Sequence, residues 1–181
     1  MGTKFSEVYN AFLGKITDDM YMELTPQDTI TDLQNLLKDA IPGFEFPRQS
    51  LAYSILTEKI HSDENTKDYF VILEEDNIIT VDKSAFEADL TYEEINILAL
   101  LMMRGWLQRQ VTSIENTRMK YSGADFKMTS QANHLAKLLS LQTECKRQSH
   151  HMQRLYKRRR EENGQIRSNW DIFGKGVYNA K

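Results

Sequence analysis

Residues 91–118, TYEEINILALLMMRGWLQRQVTSIENTR, decide the fold. Thr91-Tyr92-Glu93-Glu94 has the form of a capping box. Thr91 accepts from the backbone of the first turn and Glu94 reaches back to the backbone before it. The apolar residues that follow fall on two stripes rather than one. Ile95, Leu98, Met102 and Trp106 make the first; Leu100, Met103, Leu107, Val111 and Ile114 make the second. One stripe suffices for a helix lying on a surface, so two stripes place this helix between other elements. The spacing predicts a helix running to about Lys120 at the centre of a bundle.

The flanks supply helices to pack on it. Phe5, Val8, Tyr9, Phe12 and Leu13 have helical spacing, and Gly14 is placed to end that helix. Thr25-Pro26 reads as an N-cap followed by a proline at the first helical position, where its missing N–H costs nothing. Ile30, Leu33, Leu36, Leu37, Ala40 and Ile41 then share one face, and Pro42-Gly43 stops the helix. Downstream, Tyr121-Ser-Gly-Ala-Asp125 breaks the pattern and Thr129 or Ser130 caps another helix. Its apolar stripe, Leu135, Leu138, Leu139, Cys145, Met152, Leu155 and Tyr156, thins after Cys145 and is gone by Lys157-Arg-Arg-Arg160. Residues 44–68 show no single period, and residues 61–67 read as an exposed loop. Residues 69–73 and 78–81 are β-rich runs around Glu74-Glu-Asp-Asn77, a hairpin pattern at about 69–81. An isolated hairpin is marginal in water, so this one is expected to pack on helices or pair with a neighbour. The expected fold is mainly α: a helical bundle with a β-hairpin insertion, residues 1–160, and an extended C-terminal arm, residues 161–181.

Charge is sorted along the 181 residues. Residues 1–95 carry 20 acidic and 7 basic side chains, and residues 146–181 carry 3 acidic and 10 basic. The formal net charge of −3 hides this division. An acidic body with a basic end suits a subunit that meets different partners at its two ends. An apolar content of 40% with 27% charged residues is that of a globular domain slightly on the polar side. Cys145 is the single cysteine, which excludes an intramolecular disulfide. The N-terminal residues lack the basic and apolar regions of a signal peptide, and the longest apolar run, residues 97–103, falls far short of a membrane span.

Motifs that carry chemistry are absent. No glycine-rich phosphate loop, GxSxG or HExxH occurs. His150 and His151, with His134 and Cys145, make an incomplete zinc set: adjacent histidines on a helix point about 100° apart and the thiol has no CxxC partner. Asp18-Asp19 and Glu74-Glu75-Asp76 read as solvated turns with no nucleophile or base converging on them. Trp106 between Arg104 and Arg109 reads as a core tryptophan rather than a ligand cage. No catalytic, cofactor-binding or metal residue is therefore expected, and the chain is read as a non-enzyme.

The basic helix end has three readings. Lys146, Arg147, Arg154, Lys157, Arg158, Arg159 and Arg160 can complement the helix dipole, bind nucleic-acid phosphates, or dock on an acidic protein surface, including that of a neighbouring copy. Beyond it, Asn163-Gly164 is a break. Trp170, Ile172, Phe173, Val177 and Tyr178 then space apolar anchors through a polar tail, the pattern of a segment bound to something. The expected partner-binding residues are Arg154, Lys157, Arg158, Arg159, Arg160, Trp170, Ile172, Phe173 and Tyr178.

In order and texture, residues 91–118, the helix of residues 132–160 with its basic end, and the acidic stretch of residues 18–41 resemble the head–tail connector (adaptor, or neck ring) proteins of tailed bacteriophages. The resemblance covers about two-thirds of the chain and rests on no diagnostic motif. The hairpin and residues 44–68 are more elaborate than in the simplest members. It implies a structural virion protein, assembled in the host cytoplasm into a homo-oligomeric ring, commonly of twelve copies. Such a ring seats on the portal protein, carries the tail or further neck proteins, and lines the passage for genomic DNA. The tail of residues 163–181 is then the natural arm toward the portal, and no cofactor, enzymatic residue or membrane contact is implied. The rival reading is a nucleic-acid-binding helical module using residues 146–160.

Overall fold

The computed structural model describes residues 2–16, 24–61, 70–73, 78–120, 129–162 and 165–168. Four helices carry it: α1 (Phe5–Leu13), α2 (Pro26–Ala40), α3 (Tyr92–Lys120) and α4 (Thr129–Arg158). A short 3-10 turn, Ile41–Gly43, closes α2 at the expected Pro42-Gly43. The strands are β1 (Tyr53–Ser54), β2 (Thr57–His61), β3 (Phe70–Leu73), β4 (Ile78–Asp82), β5 (Ala85–Phe86), β6 (Arg159–Glu162) and β7 (Gln165–Ser168). The fold is the expected one, mainly α with a β-hairpin insertion.

α3 is the central element. α1, α2 and α4 all pack on it. Its first part is enclosed on nearly every side: Ile97, Leu98, Ala99 and Met102 are fully buried, with Ile95, Leu100 and Leu101 close to it. Further along, residues two positions apart on the helix point to nearly opposite sides. Gly105 lies against Leu36 of α2 and Arg109 pairs with Asp32 of α2. Leu107 and Val111 instead join Leu135, Leu138 and Cys145 of α4 in a second apolar cluster. The two stripes read in the sequence are thus two partners, α2 on one side and α4 on the other.

The helix ends follow their sequence signals. The Thr25 side chain accepts from the Asp28 N–H at 3.2 Å, with Pro26 opening the helix behind it. Thr25→Ala should cost about 1 kcal/mol, read as a shift of the urea midpoint at unchanged slope. At the start of α3, Thr91 Oγ1 accepts from Glu94 N, and Glu94 Oε2 accepts from Thr91 N at 2.8 Å. Gly14 caps α1 in right-handed conformation, its N–H donating to Asn10 and Phe12 carbonyls.

The hairpin at about 69–81 forms as β3 and β4, paired antiparallel from Phe70↔Asp82 to Leu73↔Ile79. It is stabilised in a way the sequence did not reveal. β2 pairs along the other edge of β4, from Thr57↔Asp82 to His61↔Ile78, so the sheet order is β2-β4-β3. The irregular stretch of residues 44–68 therefore contains two strands, β1 and β2. β1 pairs with β5, and Lys4 bridges Ala85 from the chain start. There Gly2 approaches the backbone so closely that a Cβ on it would stand 1.7 Å from the Phe86 carbonyl oxygen. Buried polar groups fix this sheet to the helices: the Tyr9 hydroxyl donates to Asp82 at 3.0 Å, and Asp82 accepts from Ser84 N at 2.9 Å. Burial and the neighbouring Asp82 carboxylate both push the Tyr9 hydroxyl pKa upward, so it stays a donor.

Several expectations shift at the C-terminal end. α4 stops at Arg158, and Arg159 and Arg160 belong to β6. The Asn163-Gly164 break separates β6 from β7, which pair from Arg159↔Ser168 to Glu162↔Gln165. The expected boundary at 160/161 falls inside β6. On α4, Leu139 is 41% exposed rather than part of the seam. The seam instead continues past Cys145 through Ser149, Gln153 and Tyr156, all buried. It thins in hydrophobicity, not in burial. The arm from residue 169 onward and residues 62–67 of the expected exposed loop lie outside the described residues; the first residue of that stretch, His61, instead ends β2 in register with Ile78.

Candidate partner-docking site at the end of α4

The last two turns of α4 are held by a short segment that follows the 3-10 turn. Gln153 accepts from Glu45 N at 2.8 Å and donates to the Gly43 carbonyl at 3.2 Å. Phe44 sets its ring edge-on to Tyr156 at 5.4 Å. Arg48 lies over the face of Tyr156, 4.1 Å from its centroid, and its guanidinium donates to the Tyr156 and Arg159 carbonyls. These are carbonyls that a helix end leaves without partners, and a cation there also suits the dipole. A residue far away in sequence thus caps α4.

The Tyr156 hydroxyl joins this end of α4 to the start of α3. It accepts from Arg48 N at 2.9 Å and donates to Glu94 Oε1. Glu94 is fully buried and serves two ends at once: one oxygen caps α3 through Thr91, the other holds Tyr156. Burial alone would raise the Glu94 pKa. Hydrogen bonds from Tyr156, Thr91 and the Arg48 backbone outweigh it and hold the carboxyl below its usual value. Burial and the Glu94 bond raise the Tyr156 pKa, so the pair stays as phenol and carboxylate.

This arrangement divides the cations expected to bind a partner. Arg159, partly exposed, donates to Glu93 Oε1 at 2.9 Å; the other Glu93 oxygen is buried with no hydrogen-bond partner among the described residues. Lys157 lies over the exposed Phe46 ring, 3.9 Å from its centroid. Arg154 and Arg158 remain exposed, and no ion pair of either occurs among the described residues. The side chain of Arg160, and all of Trp170, Ile172, Phe173 and Tyr178, lie outside the described residues. Upstream, Arg147 is paired with Glu144 one turn before it, and hydrogen bonds from Arg147 and Gln148 hold the Glu144 carboxyl down at about 2.

Arg48, Glu93 and Gln153 were not singled out by sequence reasoning. Only Glu94 carried a signal, the capping box, and that signal says nothing of Tyr156. Trp106 is half-buried, packed against both apolar clusters, and it also lines a groove between α2 and α3. Cys145 is a buried thiol whose Sγ lies 3.5 Å from the Leu100 carbonyl; burial raises its pKa. Among the described residues no group of three or more His, Cys, Asp or Glu is placed to hold a metal ion. Among the same residues, no helix is long and apolar enough to cross a membrane. Comparison of the chain with protein-family models, with curated proteins and with solved structures returns no match.

Proposed function

We propose that this chain is a structural subunit of the neck of a tailed bacteriophage, assembling as a homo-oligomeric ring between the portal of the head and the tail, around the DNA passage. The observation that carries the reading is the separation of charge across a helical bundle. The basic end of α4 lies on one side of α3, and α1, α2 and the sheet, from the acidic part of the chain, pack elsewhere. A subunit with unlike faces can repeat around an axis and still offer different surfaces to the neighbours above and below. The likeness of residues 91–118 and 132–160 to neck proteins supplies the particular setting.

In this reading the body of the subunit makes the ring and residues 163–181 reach the portal. Deleting residues 169–181, which spares the β6–β7 pair, should leave a body with the thermal stability of the full chain that no longer enters particles. Full incorporation of the truncated chain, measured by quantitative mass spectrometry of purified particles, would refute the arm. The exposed Arg154 and Arg158 also favour a second reading, a module that binds nucleic-acid phosphates. Its signature is affinity for duplex DNA that falls steeply between two salt concentrations. The neck reading expects no such high-affinity complex.

A further inference from the structure

The outer face of α4 has a regular pattern. Cys145, Ser149 and Tyr156 face α3 and are buried. Two residues beyond each lie Arg147, His151 and Arg158, about 200° around the helix and exposed, with Arg154 on the same side. The stripe Arg147, His151, Arg154, Arg158 has spacings of four, three and four residues.

α2 carries a stripe with the same spacings. Leu33, Leu36, Leu37 and Ala40 are buried against the core. Asp28, Asn35 and Asp39 are exposed and Asp32 is half-buried, at intervals of four, three and four residues. Each stripe runs about 17 Å along its helix. Laid antiparallel, the two bring Arg158 to Asp28, Arg154 to Asp32, His151 to Asn35 and Arg147 to Asp39. Every arginine then meets an aspartate, while Arg147 keeps its pair with Glu144 and Asp32 its pair with Arg109. Laid parallel, Arg154 meets Asn35 and one aspartate is left to the histidine. Beside the α2 stripe, a groove of about 500 Å³ between α2 and α3 gives room for long side chains; Asp28, Asp32, Asn35, Trp106 and Arg109 are among its lining. Arg109 grips both oxygens of Asp32, at 2.6 and 3.1 Å, which fixes that carboxylate on the groove wall.

We propose that the basic stripe of α4 in one copy docks antiparallel on the acidic stripe of α2 in a second copy. Because α2 and α4 lie on opposite sides of α3, no copy can lay its own α4 stripe on its own α2 stripe. The contact is head-to-tail and closes only as a ring or continues as a filament. The proposal rests on the ring reading above and names the joint within it.

The test uses the full chain and charge reversal at exposed positions. Arg147→Glu with Arg158→Glu should weaken self-association, measured by sedimentation, on the order of 100-fold; Asp28→Lys with Asp39→Lys, their partners in the antiparallel register, should do the same. Each variant's circular dichroism should match the parent chain; the α2 variant melts somewhat lower because Asp28 accepts from the Thr25 hydroxyl in the first turn of α2, and association is compared at a temperature where every variant is folded. Joining all four substitutions in one chain restores complementary faces and should restore association. If either reversed pair assembles like the parent, or the fourfold variant stays dissociated, the joint is elsewhere, and the ring reading is untouched. If the parent chain is single both in solution and in particles, the ring reading fails and this joint with it. If reversal of the α4 stripe abolishes binding to duplex DNA while association is unchanged, its occupant is nucleic acid and the proposal is overturned.

Discussion

Leu98→Ala lowers the unfolding free energy by about 2–5 kcal/mol, the cost of truncating a fully buried leucine. Leu98 is fully buried and belongs to the cluster that includes Phe5, Tyr9, Leu33, Leu37 and Met102. The cost of such a change is the lost transfer of the side chain out of water plus the cavity left behind. The cavity term depends on whether the walls can relax. Here they cannot follow easily, because α1, α2 and α4 all pack on α3. A urea titration with unchanged slope measures the loss. Leu139→Ala on the exposed side of α4 is the control and should cost less than about 1 kcal/mol. A Leu98→Ala loss no greater than that of Leu139→Ala would show that α3 is not the centre of the core.

Tyr156→Phe should cost about 2–3 kcal/mol although it removes one atom. The ring keeps its place against Phe44 and Arg48, so packing is preserved. What is lost is the donor to the buried Glu94 carboxylate and the acceptor for Arg48 N. The pH dependence identifies the cause. Glu94 is held below its usual pKa in the folded chain, so its contribution is fully present above the unfolded-state carboxylate pKa. It is lost as pH falls through the lower folded value. The difference between Tyr156→Phe and the parent should therefore be constant near neutrality and shrink in acid. A difference that is unchanged in acid would place the loss in packing. A double-mutant cycle with Glu94→Gln should return a coupling above about 0.5 kcal/mol, the range for residues in one network.

Helices were legible in the sequence because their signals are local. Thr25-Pro26, Thr91 with Glu94, and apolar residues every three to four positions each act within one or two turns. β2 was not legible: Thr57–His61 has no isolated pattern, and it becomes a strand only because β4 offers a free edge. The α4 seam misled for a related reason. Ser149 and Gln153 look like surface residues, yet their polar atoms find backbone partners at Lys146, Gly43 and Glu45. The basic run at 157–160 reads as one patch in sequence. In the fold it splits, since Arg159 is spent on Glu93 and Lys157 on Phe46. Arg48, which caps α4, sits more than a hundred residues before it, and no spacing rule reaches that far. Trp170, Ile172, Phe173 and Tyr178, read in the sequence as anchors, lie outside the described residues.

Opposed charge on the two sides of one central helix joins these points. In the proposed ring it would set α4 of one copy against α2 of the next and leave the remaining surfaces to unlike neighbours. The most direct test of that account is the native mass of the assembly released from purified particles. The account predicts one closed species whose mass is a whole multiple of the 21.1 kDa chain, recovered with the portal. A single 21.1 kDa chain, or material released only with the packaged DNA, would contradict it.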